Sequence, residues 1–398
     1  MAEGHFEKVR LQFEISTLVQ KLQKYGNPAL HVTPEHEIAL EETEVPTPQP
    51  HEALIHVRCT GICGSDMHLW HQGGIGPIKV DRPCVLGHEP AGVVLAVGSE
   101  VTNIKTGDRV ALEPGVPCRK CWLCKAGKYN LCEYVEFAGV CPVAGTIRRF
   151  VTHDAEYCYP LPDTMTFAQG ALLEPFSVIL HAVRSCKGSI GVGRPLLICG
   201  AGPIGLCALS AAKASGAWPI VITDIDQSKL DFAKKFAPGV LTYKVEPSKS
   251  PQQASEEIRA LYGVEPRDLD RMIPSPSEWK APSTVLECTG IESSVVTAAY
   301  TCQRSGLVMV VGVGRSIMNN LPFMQLSLGE IDLRFINRYS DTWPAGINAL
   351  QNHQVCDLDA MVTHTFPLEK AIEAMHTAAD PKQASVKVQI VDDTEIEL

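Results

Sequence analysis

The spacing of apolar and polar positions divides the chain into three kinds of segment. Residues 1–28 place Leu11, Ile15 and Leu18 at helical spacing before a Gly-Asn-Pro turn, which predicts a terminal helix docked on the rest of the molecule. Residues 29–176 carry short runs such as ALIHVRCTG, AGVVLAVG and DRVALEP, which are rich in β-forming residues and are separated by Gly and Pro turns. This pattern indicates a compact, barrel-like β domain.

Residues 177–318 form the third kind of segment, in which longer strand-like and helix-like stretches alternate. They follow in the order PLLICG, PIGLCALSAAKASG, PIVITD and SKLDFAKKF. Such alternation is typical of βαβ units and predicts an α/β fold with a doubly wound parallel sheet. Residues 265–282 are rich in Pro and charges, which predicts a surface loop. Residues 319–398 return to mixed segments, and we expect them to rejoin the β domain.

Composition and charge exclude several classes of partner. A formal net charge of -10 leaves no basic field for nucleic acid. No apolar run approaches the roughly 20 residues of a membrane helix, and the start MAEGHFEKVRLQFE lacks the apolar core of a signal peptide. Fifteen cysteines without an export signal favour reduced thiols and metal ligands over disulfides. We therefore expect a cytoplasmic protein that binds small molecules, with no nucleic-acid or membrane partner.

The segment PCRKCWLCKAGKYNLC concentrates four thiols in fifteen positions. They are Cys118, Cys121, Cys124 and Cys132. Four thiolates at this spacing can close a tetrahedron around zinc, and a closed site of this kind is structural because no position is left for substrate. The alternative is a set of buried or incidental cysteines.

A glycine-rich segment, GAGPIG, follows the strand-like run PLLIC and opens an apolar helix. It contributes Gly200, Gly202, Pro203, Ile204 and Gly205. Glycines in this context allow a tight turn and a close approach of the backbone to a pyrophosphate at the helix N-terminus. Asp224 ends the next strand, where a carboxylate accepts hydrogen bonds from the adenosine ribose and repels a 2′-phosphate. The pattern favours NAD over NADP, with a purely structural turn as the alternative.

The segments GICGSDMH and GHEPAG place three further metal-ligand types on Gly-flanked turns of the β domain. They are Cys63, His88 and Glu89. A thiolate and an imidazole are good zinc ligands, although a buried cysteine and a core histidine are the ordinary alternative for each residue taken alone. Beside a second metal motif and a nucleotide fold, the three residues predict an open metal site.

These motifs resemble those of the zinc-containing medium-chain dehydrogenases/reductases. GHEPAG resembles the GHE-x-x-G signature of the family, and LLEPFSV resembles the acidic segment of its polyol branch, which supplies Glu174. The resemblance implies a GroES-like β-barrel catalytic domain, residues 29–176 and 319–398, and a Rossmann coenzyme domain, residues 177–318. It also implies that Cys63 and His88 bind a catalytic zinc directly. Glu89 and Glu174 are each a ligand or a water-mediated partner, and both assignments stay open.

The resemblance extends to residues that handle protons, cofactor and substrate. It implies a proton relay through Ser65 and His68, although water could replace His68. The cofactor residues it implies, beyond the glycine-rich turn and Asp224, are Lys229 beside the ribose and Gly312, Val313 and Gly314 beside the nicotinamide. The substrate residues it implies are Phe137, Arg338 and Tyr339.

The function implied is zinc-dependent, NAD-linked oxidation of a secondary hydroxyl of a polyol to a ketose. Segments such as FAGVCPVAGTIRRFV and RYSDTWP are most similar to the branch of fungal sugar catabolism that converts L-arabinitol to L-xylulose. Oxidation of sorbitol or xylitol is the alternative, followed by another secondary alcohol such as a butanediol or threonine, or a non-catalytic NAD-binding role. The resemblance further implies two zinc ions per chain, one catalytic and one structural, and a homotetramer.

Overall fold

The computed structural model describes residues 2–267 and 275–397. Its strands are β1 (Pro28–Val32), β2 (Ile38–Glu42), β3 (Glu52–Gly61), β4 (Gly74–Ile75), β5 (Ile78–Lys79), β6 (Cys84–Val85), β7 (Glu89–Val97), β8 (Arg109–Leu112), β9 (Gly115–Val116), β10 (Glu136–Phe137), β11 (Phe150–Asp154), β12 (Cys158–Pro160), β13 (Leu196–Cys199), β14 (Ile220–Asp224), β15 (Leu241–Lys244), β16 (Thr284–Glu287), β17 (Leu307–Val310), β18 (Asp332–Phe335), β19 (Val362–Pro367) and β20 (Lys387–Val391). Its α-helices are α1 (Ala2–Leu22), α2 (Gly64–Gln72), α3 (Trp122–Lys125), α4 (Phe167–Ser185), α5 (Pro203–Ala214), α6 (Gln227–Phe236), α7 (Pro251–Ala260), α8 (Glu292–Thr301), α9 (Phe323–Leu328), α10 (Trp343–Gln351) and α11 (Ala371–Ala379).

The chain divides into two compact units, which we call unit 1 and unit 2. Unit 1 comprises the chain up to Glu174, Trp343–Gln351 and the segment from Val362 onward. Unit 2 comprises Pro175–Thr342 and Asn352–Met361. The division falls within α4.

A sheet with mainly antiparallel pairing forms the body of unit 1. Its order is β12-β8-β7-β3-β20-β19, and β11 also pairs with β3. Alternate residues of β3, namely Ala53, Ile55 and Val57, are buried together with Val94 and Leu112 of the neighbouring strands. Side chains two residues apart on a strand point to the same face, so these three residues share one face of β3, while Leu54 on the other face is buried in a second cluster. The sheet is the β domain that the sequence predicts.

The first helix is docked on unit 1. Ile15, Val19 and Leu22 of α1 recur at intervals of four and three residues, which places them on one face of the helix. They pack with Leu54 and Phe150 in one buried cluster, and Leu22 is fully buried. The prediction of a docked terminal helix is confirmed. Among the described residues, no helix combines the length and apolar character that crossing a membrane requires.

Unit 2 contains a six-stranded parallel sheet with the order β15-β14-β13-β16-β17-β18. The segments LLIC of β13 and LVMV of β17 are buried at every position, which is why these strands appear in the sequence as continuous apolar runs. The strand order reverses between β13 and β16. In sheets of this type, ligands bind beyond the carboxyl ends of the strands at this reversal. The prediction of an α/β fold with a doubly wound parallel sheet is confirmed.

The boundary of unit 2 differs from the one predicted at residue 319. β18 pairs in parallel with β17, from Leu307 opposite Asp332 to Val310 opposite Phe335. These backbone hydrogen bonds keep the chain in the parallel sheet beyond residue 319, and Asn352–Met361 also belongs to unit 2. The mixed character of this part of the sequence reflects an edge strand, which needs less apolar sequence than a central one.

The predicted surface loop at 265–282 is described only at its two ends, because residues 268–274 lie outside the described residues. At one end, Arg267 Nε donates to Glu256 Oε1 at 2.7 Å, which ties the segment to α7. At the other end, Ser277 is buried and its hydroxyl accepts from the backbone N–H of Glu265 at 2.7 Å. One described end is therefore tied to α7, and the two ends are joined to each other.

Candidate functional site

Three metal-ligand types meet in unit 1 where β3 ends and β7 begins. Cys63 is the N-cap residue of α2, directly after β3, while His88 and Glu89 lie at the start of β7. The antiparallel pairing sets Gly61 opposite Glu89, which brings the two segments together. One ligand atom from each of Cys63, His88 and Glu89 lies within 4.8 Å of the other two. The structure thus assembles the cluster that the sequence predicts.

Asp66, which sequence reasoning missed, holds this cluster in place. Its Oδ2 accepts from the backbone N–H of Cys63 at 2.9 Å, and its Oδ1 accepts from the backbone N–H of Gly87 at 3.1 Å. The same Oδ1 lies 3.7 Å from Nδ1 of His88. A metal-binding histidine commonly turns its second nitrogen toward a carboxylate, which fixes the orientation of the ring. The position of Asp66, three residues after Cys63 in a capping box, was the available signal.

The charge around His88 suits a cation. Burial alone lowers the pKa of His88, but the negative charges of Asp66 and Cys63 outweigh burial and raise the pKa well above its ordinary value. An imidazole with a raised pKa marks a site with excess negative charge. Thiolate, imidazole and carboxylate are the ligands that zinc takes in proteins, so the donor set fits this metal.

Glu89 has a second partner, Lys387, which the sequence analysis also missed. The ammonium of Lys387 forms an ion pair with Glu89 and donates to the backbone carbonyl of Ile62 at 3.0 Å. Burial lowers the pKa of Lys387, but the charge of Glu89 more than compensates and raises it. Gly61 makes room for this pair, because a Cβ there would lie 1.9 Å from Glu89 Oε2. The buried ammonium of Lys387 therefore partly neutralises the negative charge of Glu89.

Glu174 is buried in the first half of α4, within unit 1. It lies outside the group of mutually close ligand atoms found among the described residues. Its charge nevertheless raises the pKa of both His88 and Lys387. The structure therefore places Glu174 within electrostatic reach of the cluster, and both glutamates remain candidate ligands.

Ser65 and Phe137, two of the predicted site residues, lie next to His88. Ser65 Oγ is 3.2 Å from His88 Nε2, and His68 is half-buried one turn further along α2. The Phe137 ring is buried with its centroid 5.7 Å from that of the His88 imidazole. Unit 1 therefore brings a hydroxyl and an aromatic wall to the metal cluster.

The four thiols of the cysteine-rich segment form a second cluster in unit 1. Cys121 Sγ lies 3.5 Å from Cys124 Sγ and 3.8 Å from Cys132 Sγ. All four sulfurs, including that of Cys118, lie within 4.8 Å of one another. Four sulfurs bound to zinc at about 2.3 Å occupy the corners of a tetrahedron with edges of about 3.8 Å. The spacing fits a closed zinc site and is far from the roughly 2.05 Å of a disulfide.

Backbone N–H groups face the sulfurs of this cluster. The N–H of Cys121 donates to Cys118 Sγ at 3.3 Å, and the N–H of Tyr134 donates to Cys132 Sγ at 3.4 Å. Hydrogen bonds from Lys120 and Cys121 lower the pKa of Cys118 to about 6. Hydrogen bonds of this kind favour thiolates, which are the form that binds a metal.

The glycine-rich turn in unit 2 has the geometry of a dinucleotide-binding turn. Gly200 has φ 99°, and a Cβ on Gly205 would lie 1.9 Å from the carbonyl oxygen of Gly200. Gly202 is the N-cap residue of α5, where a Cβ would meet open space, and Pro203 and Ile204 begin the helix. Two glycines are therefore needed for the turn itself, while the third leaves the helix N-terminus free to approach a phosphate.

Asp224 is held rigidly at the end of β14. Its Oδ2 accepts from the backbone N–H of Ala201 at 2.8 Å, and its Oδ1 accepts from that of Asp226 at 2.9 Å. A carboxylate has about four acceptor positions, so capacity remains for a ligand hydroxyl. Lys229 is half-buried in the first turn of α6. Asp224 ends β14, as the sequence predicts, and Lys229 follows it in the next helix.

The GVG segment follows β17 and packs backbone against backbone. A Cβ on Gly312 would lie 2.1 Å from the Gly290 nitrogen, and one on Gly314 would lie 1.8 Å from the Gly290 oxygen, whereas Val313 is exposed. Sequence reasoning missed Glu287, which is fully buried at the end of β16 and accepts from the N–H of Gly290 at 2.9 Å. This hydrogen bond holds the turn at Gly290, against which the GVG segment packs.

Arg338 and Tyr339 lie in unit 2, after β18. Arg338 is half-buried with φ 56°, a left-handed conformation that is uncommon outside glycine, and Tyr339 is buried. Their role in substrate binding stays a prediction.

Comparisons with known proteins agree with this geometry. Residues 49–163 match the family model described as alcohol dehydrogenase GroES-like domain, and residues 203–352 match the one described as zinc-binding dehydrogenase. L-arabinitol 4-dehydrogenase of Aspergillus oryzae is 47% identical, over 87% of this chain and 88% of the relative. Sorbitol dehydrogenase of Mus musculus is 40% identical, over 89% of this chain and 92% of the relative.

Solved structures give the same result. The crystal structure of 2R,3R-butanediol dehydrogenase from Bacillus subtilis matches with a TM-score of 0.78 and 28% identity, over 92% of this chain and 100% of that chain. The fold, both zinc-type clusters and the sequence relatives all indicate the same protein family. The chain belongs to the zinc-containing medium-chain dehydrogenases/reductases, in the polyol dehydrogenase branch.

Proposed function

We propose that the chain is a zinc-dependent, NAD-linked polyol dehydrogenase that oxidises L-arabinitol to L-xylulose. The observation that carries the proposal is the cluster of Cys63, His88 and Glu89, found in a chain whose relatives include L-arabinitol 4-dehydrogenases at 42% to 48% identity. In this reaction the C–H and O–H bonds of one secondary alcohol break, the hydride reduces NAD⁺ to NADH, and one proton is released. Unit 1 is the catalytic domain and unit 2 the coenzyme domain.

The two clusters of unit 1 have separate roles in this proposal. Cys118, Cys121, Cys124 and Cys132 hold a structural zinc, and Cys63 and His88 hold a catalytic zinc with Glu89 or Glu174. Bound zinc supplies Lewis acidity toward the substrate hydroxyl, and bound NAD accepts the hydride. Asp66 keeps the imidazole of His88 in one orientation, and Phe137 excludes water from one side of the site.

The released proton passes through Ser65 and His68. The hydroxyl oxygen of Ser65 accepts the proton of the substrate hydroxyl while its own proton moves on toward the ring of His68. The position of Ser65 beside His88 supports this role. His68, half-buried on the same helix, then transfers the proton to solvent.

The cofactor is NAD rather than NADP. The Asp224 carboxylate accepts hydrogen bonds from the ribose hydroxyls and repels a 2′-phosphate, and Lys229 lies beside the same ribose. Gly200, Gly202, Pro203, Ile204 and Gly205 receive the pyrophosphate, while Gly312, Val313 and Gly314 face the nicotinamide. Arg338 and Tyr339 are the residues of unit 2 that bind substrate hydroxyls in this proposal.

The protein acts in the cytoplasm as a homotetramer. The fifteen cysteines, four of them in one thiol cluster, suit a reducing compartment. Unit 2 offers a surface for self-association, because Phe323, Met324, Leu328 and Phe335 are more than half exposed and β18 is an edge strand. Apolar patches and unpaired strand edges of this kind are usually covered by a partner.

Sorbitol oxidation is the second candidate, since sorbitol dehydrogenases are 40% identical over most of the chain. One carbon of difference between substrates changes the binding free energy by only about 1 to 3 kcal/mol, so closely related pockets can exchange preference. A butanediol substrate is less favoured, because the butanediol dehydrogenase is a more distant relative at 28% identity.

A panel of alcohols tests the proposal. NADH formation is followed at steady state with L-arabinitol, xylitol and sorbitol, and with threonine and 2,3-butanediol as controls. We expect the highest kcat/KM for L-arabinitol and formation of one L-xylulose per NADH. A higher kcat/KM for sorbitol would favour the second candidate, and turnover restricted to the controls would contradict a polyol function.

A further inference from the structure

Unit 1 contains a second pocket, which we call the Arg148 pocket. It has a volume of about 220 Å³, and its lining includes Arg148, Thr152 and His153 together with Glu136 and Ala138. It differs from the candidate metal site in position as well as in residues.

The strand β10 separates the two sites. Its Phe137 faces the imidazole of His88, whereas Glu136 and Ala138 on either side line the Arg148 pocket. Neighbouring side chains of an extended strand point to opposite faces. The Arg148 pocket therefore lies behind the aromatic wall of the candidate active site.

The guanidinium of Arg148 has no counter-charge. Its Nε is inaccessible and makes no hydrogen bond, and Arg148 forms no ion pair with any residue in 2–267 or 275–397. Burial lowers the pKa of Arg148 to about 10, and no acidic neighbour opposes the shift. Arg148 is half-buried, and its Nε is enclosed without a hydrogen-bond partner. Charges that are removed from water in proteins are usually paired, so this guanidinium points to a partner that comes from outside the chain.

The carboxylates that line the pocket are engaged elsewhere or lie at its rim. Asp154 forms an ion pair with Arg119. Glu52 Oε2 accepts from the backbone N–H of Gln49 at 2.8 Å, and Glu136 is exposed at the pocket mouth. None of the three supplies a charge to Arg148.

We propose that the Arg148 pocket binds a small oxyanion, either phosphate or the carboxylate of a small metabolite. A guanidinium presents its donors in a planar fork that matches the oxygens of both groups. The half-buried hydroxyl of Thr152 lines the same pocket and adds a neutral donor. The pocket volume of about 220 Å³ accommodates an ion of this size. The proposal does not depend on the polyol reaction, because the pocket shares no residue with the metal or dinucleotide sites.

Anion binding is measured by thermal unfolding with NADH saturating, so that the dinucleotide site is already filled. Sodium phosphate and, separately, sodium succinate replace sodium chloride at constant ionic strength. A ligand that binds only the folded state raises the Tm in a saturable way. We expect such a rise with at least one of the two anions, and the more effective anion identifies phosphate or carboxylate as the preferred chemistry.

The variants are Arg148→Gln and, as matched control, Arg10→Gln on the exposed face of α1. We expect Arg148→Gln to abolish the saturable rise or weaken the apparent affinity at least tenfold, and Arg10→Gln to behave as wild type. If Arg148→Gln does not fold, Thr152→Val replaces it and is expected to weaken anion binding severalfold.

Two results would overturn the proposal. One is a wild type with no saturable response to either anion, or a response that Arg148→Gln and Thr152→Val leave intact. The other is an Arg148→Gln variant that sediments as a smaller species while the wild type binds neither anion. In that case the guanidinium faces a carboxylate of a second copy of the chain.

Discussion

Asp66 connects the two segments that build the candidate metal site. Its two oxygens accept the backbone N–H groups of Cys63 and Gly87, and one of them approaches His88 Nδ1. In Asp66→Asn, an NH2 group, which donates hydrogen bonds, replaces one of the two carboxylate oxygens that accept them. We therefore expect Asp66→Asn to fold but to hold His88 loosely.

The expected result for Asp66→Asn is a 10- to 100-fold loss of affinity for the catalytic zinc, which is about the usual effect of removing a carboxylate that orients a metal ligand. Competition with a chromophoric chelator measures this affinity for wild type and variant. Asp81→Asn is the matched control, because Asp81 is exposed and pairs only with its neighbour Arg82. Equal zinc affinity in Asp66→Asn and the control would mean that Asp66 does not position His88.

In the proposed function, Asp224 is the residue that selects between the two nicotinamide cofactors. Asp224→Ser removes a charge that repels a 2′-phosphate and an acceptor that binds two ribose hydroxyls. We expect the ratio of kcat/KM for NAD to that for NADP to fall by about two orders of magnitude, or about 2.7 kcal/mol. The measurement is made at saturating L-arabinitol. An unchanged ratio would place the ribose away from Asp224.

At the residue scale, the sequence predicts the residues that carry strong local patterns. The cysteine spacing, the GAGPIG turn and GHEPAG each specify a short piece of backbone, and the structure brings their side chains together as expected. Asp66, Lys387 and Glu287 were not predicted. Lys387 lies almost 300 residues from Glu89, and a lone lysine in a sequence is normally a surface residue, so only the β3–β20 pairing reveals the contact.

Among the elements, α1 is a terminal helix docked on unit 1. Its buried face packs on the sheet through Ile15, Val19 and Leu22, while Phe13 on the same helix is 73% exposed. The same helix therefore supplies a core position and a surface position for comparison.

Leu22→Ala should lower the free energy of unfolding by about 2 to 5 kcal/mol, because it leaves a cavity at a fully buried position. Phe13→Ala should change it by less than about 0.5 kcal/mol. Chemical denaturation with zinc and NAD held constant measures both. Equal effects of the two variants would show that α1 does not dock through this face in solution.

The elements also show where sequence patterns lose information. Central strands such as β13 are apolar at every position and are easily predicted. β18 lies at the edge of its sheet and has only exposed and half-buried positions. Its sequence therefore lacks the continuous apolar run that identifies the central strands of unit 2. The boundary predicted at residue 319 therefore fell too early, since only the pairing with β17 assigns this strand to the parallel sheet.

At the scale of the whole molecule, we propose that each cluster of unit 1 binds one zinc ion and that unit 2 binds the nucleotide. The closed set of four sulfurs leaves no free coordination position, whereas Cys63 and His88 provide only two ligands beside the glutamates. The two zinc ions should therefore differ in what their removal does. Loss of the structural zinc should unfold part of unit 1, and loss of the catalytic zinc should stop turnover while NAD still binds.

Turnover of L-arabinitol by wild type and His88→Ala, measured alongside the zinc content of each protein, shows whether His88 holds a catalytic zinc. The wild type should contain two zinc ions per chain and form NADH. His88→Ala should contain one zinc ion, bind NADH with wild-type affinity and retain less than about a hundredth of wild-type turnover, a loss of more than about 2.7 kcal/mol of transition-state stabilisation. An equal zinc content in both proteins, or turnover in His88→Ala close to that of wild type, would contradict a catalytic zinc at His88.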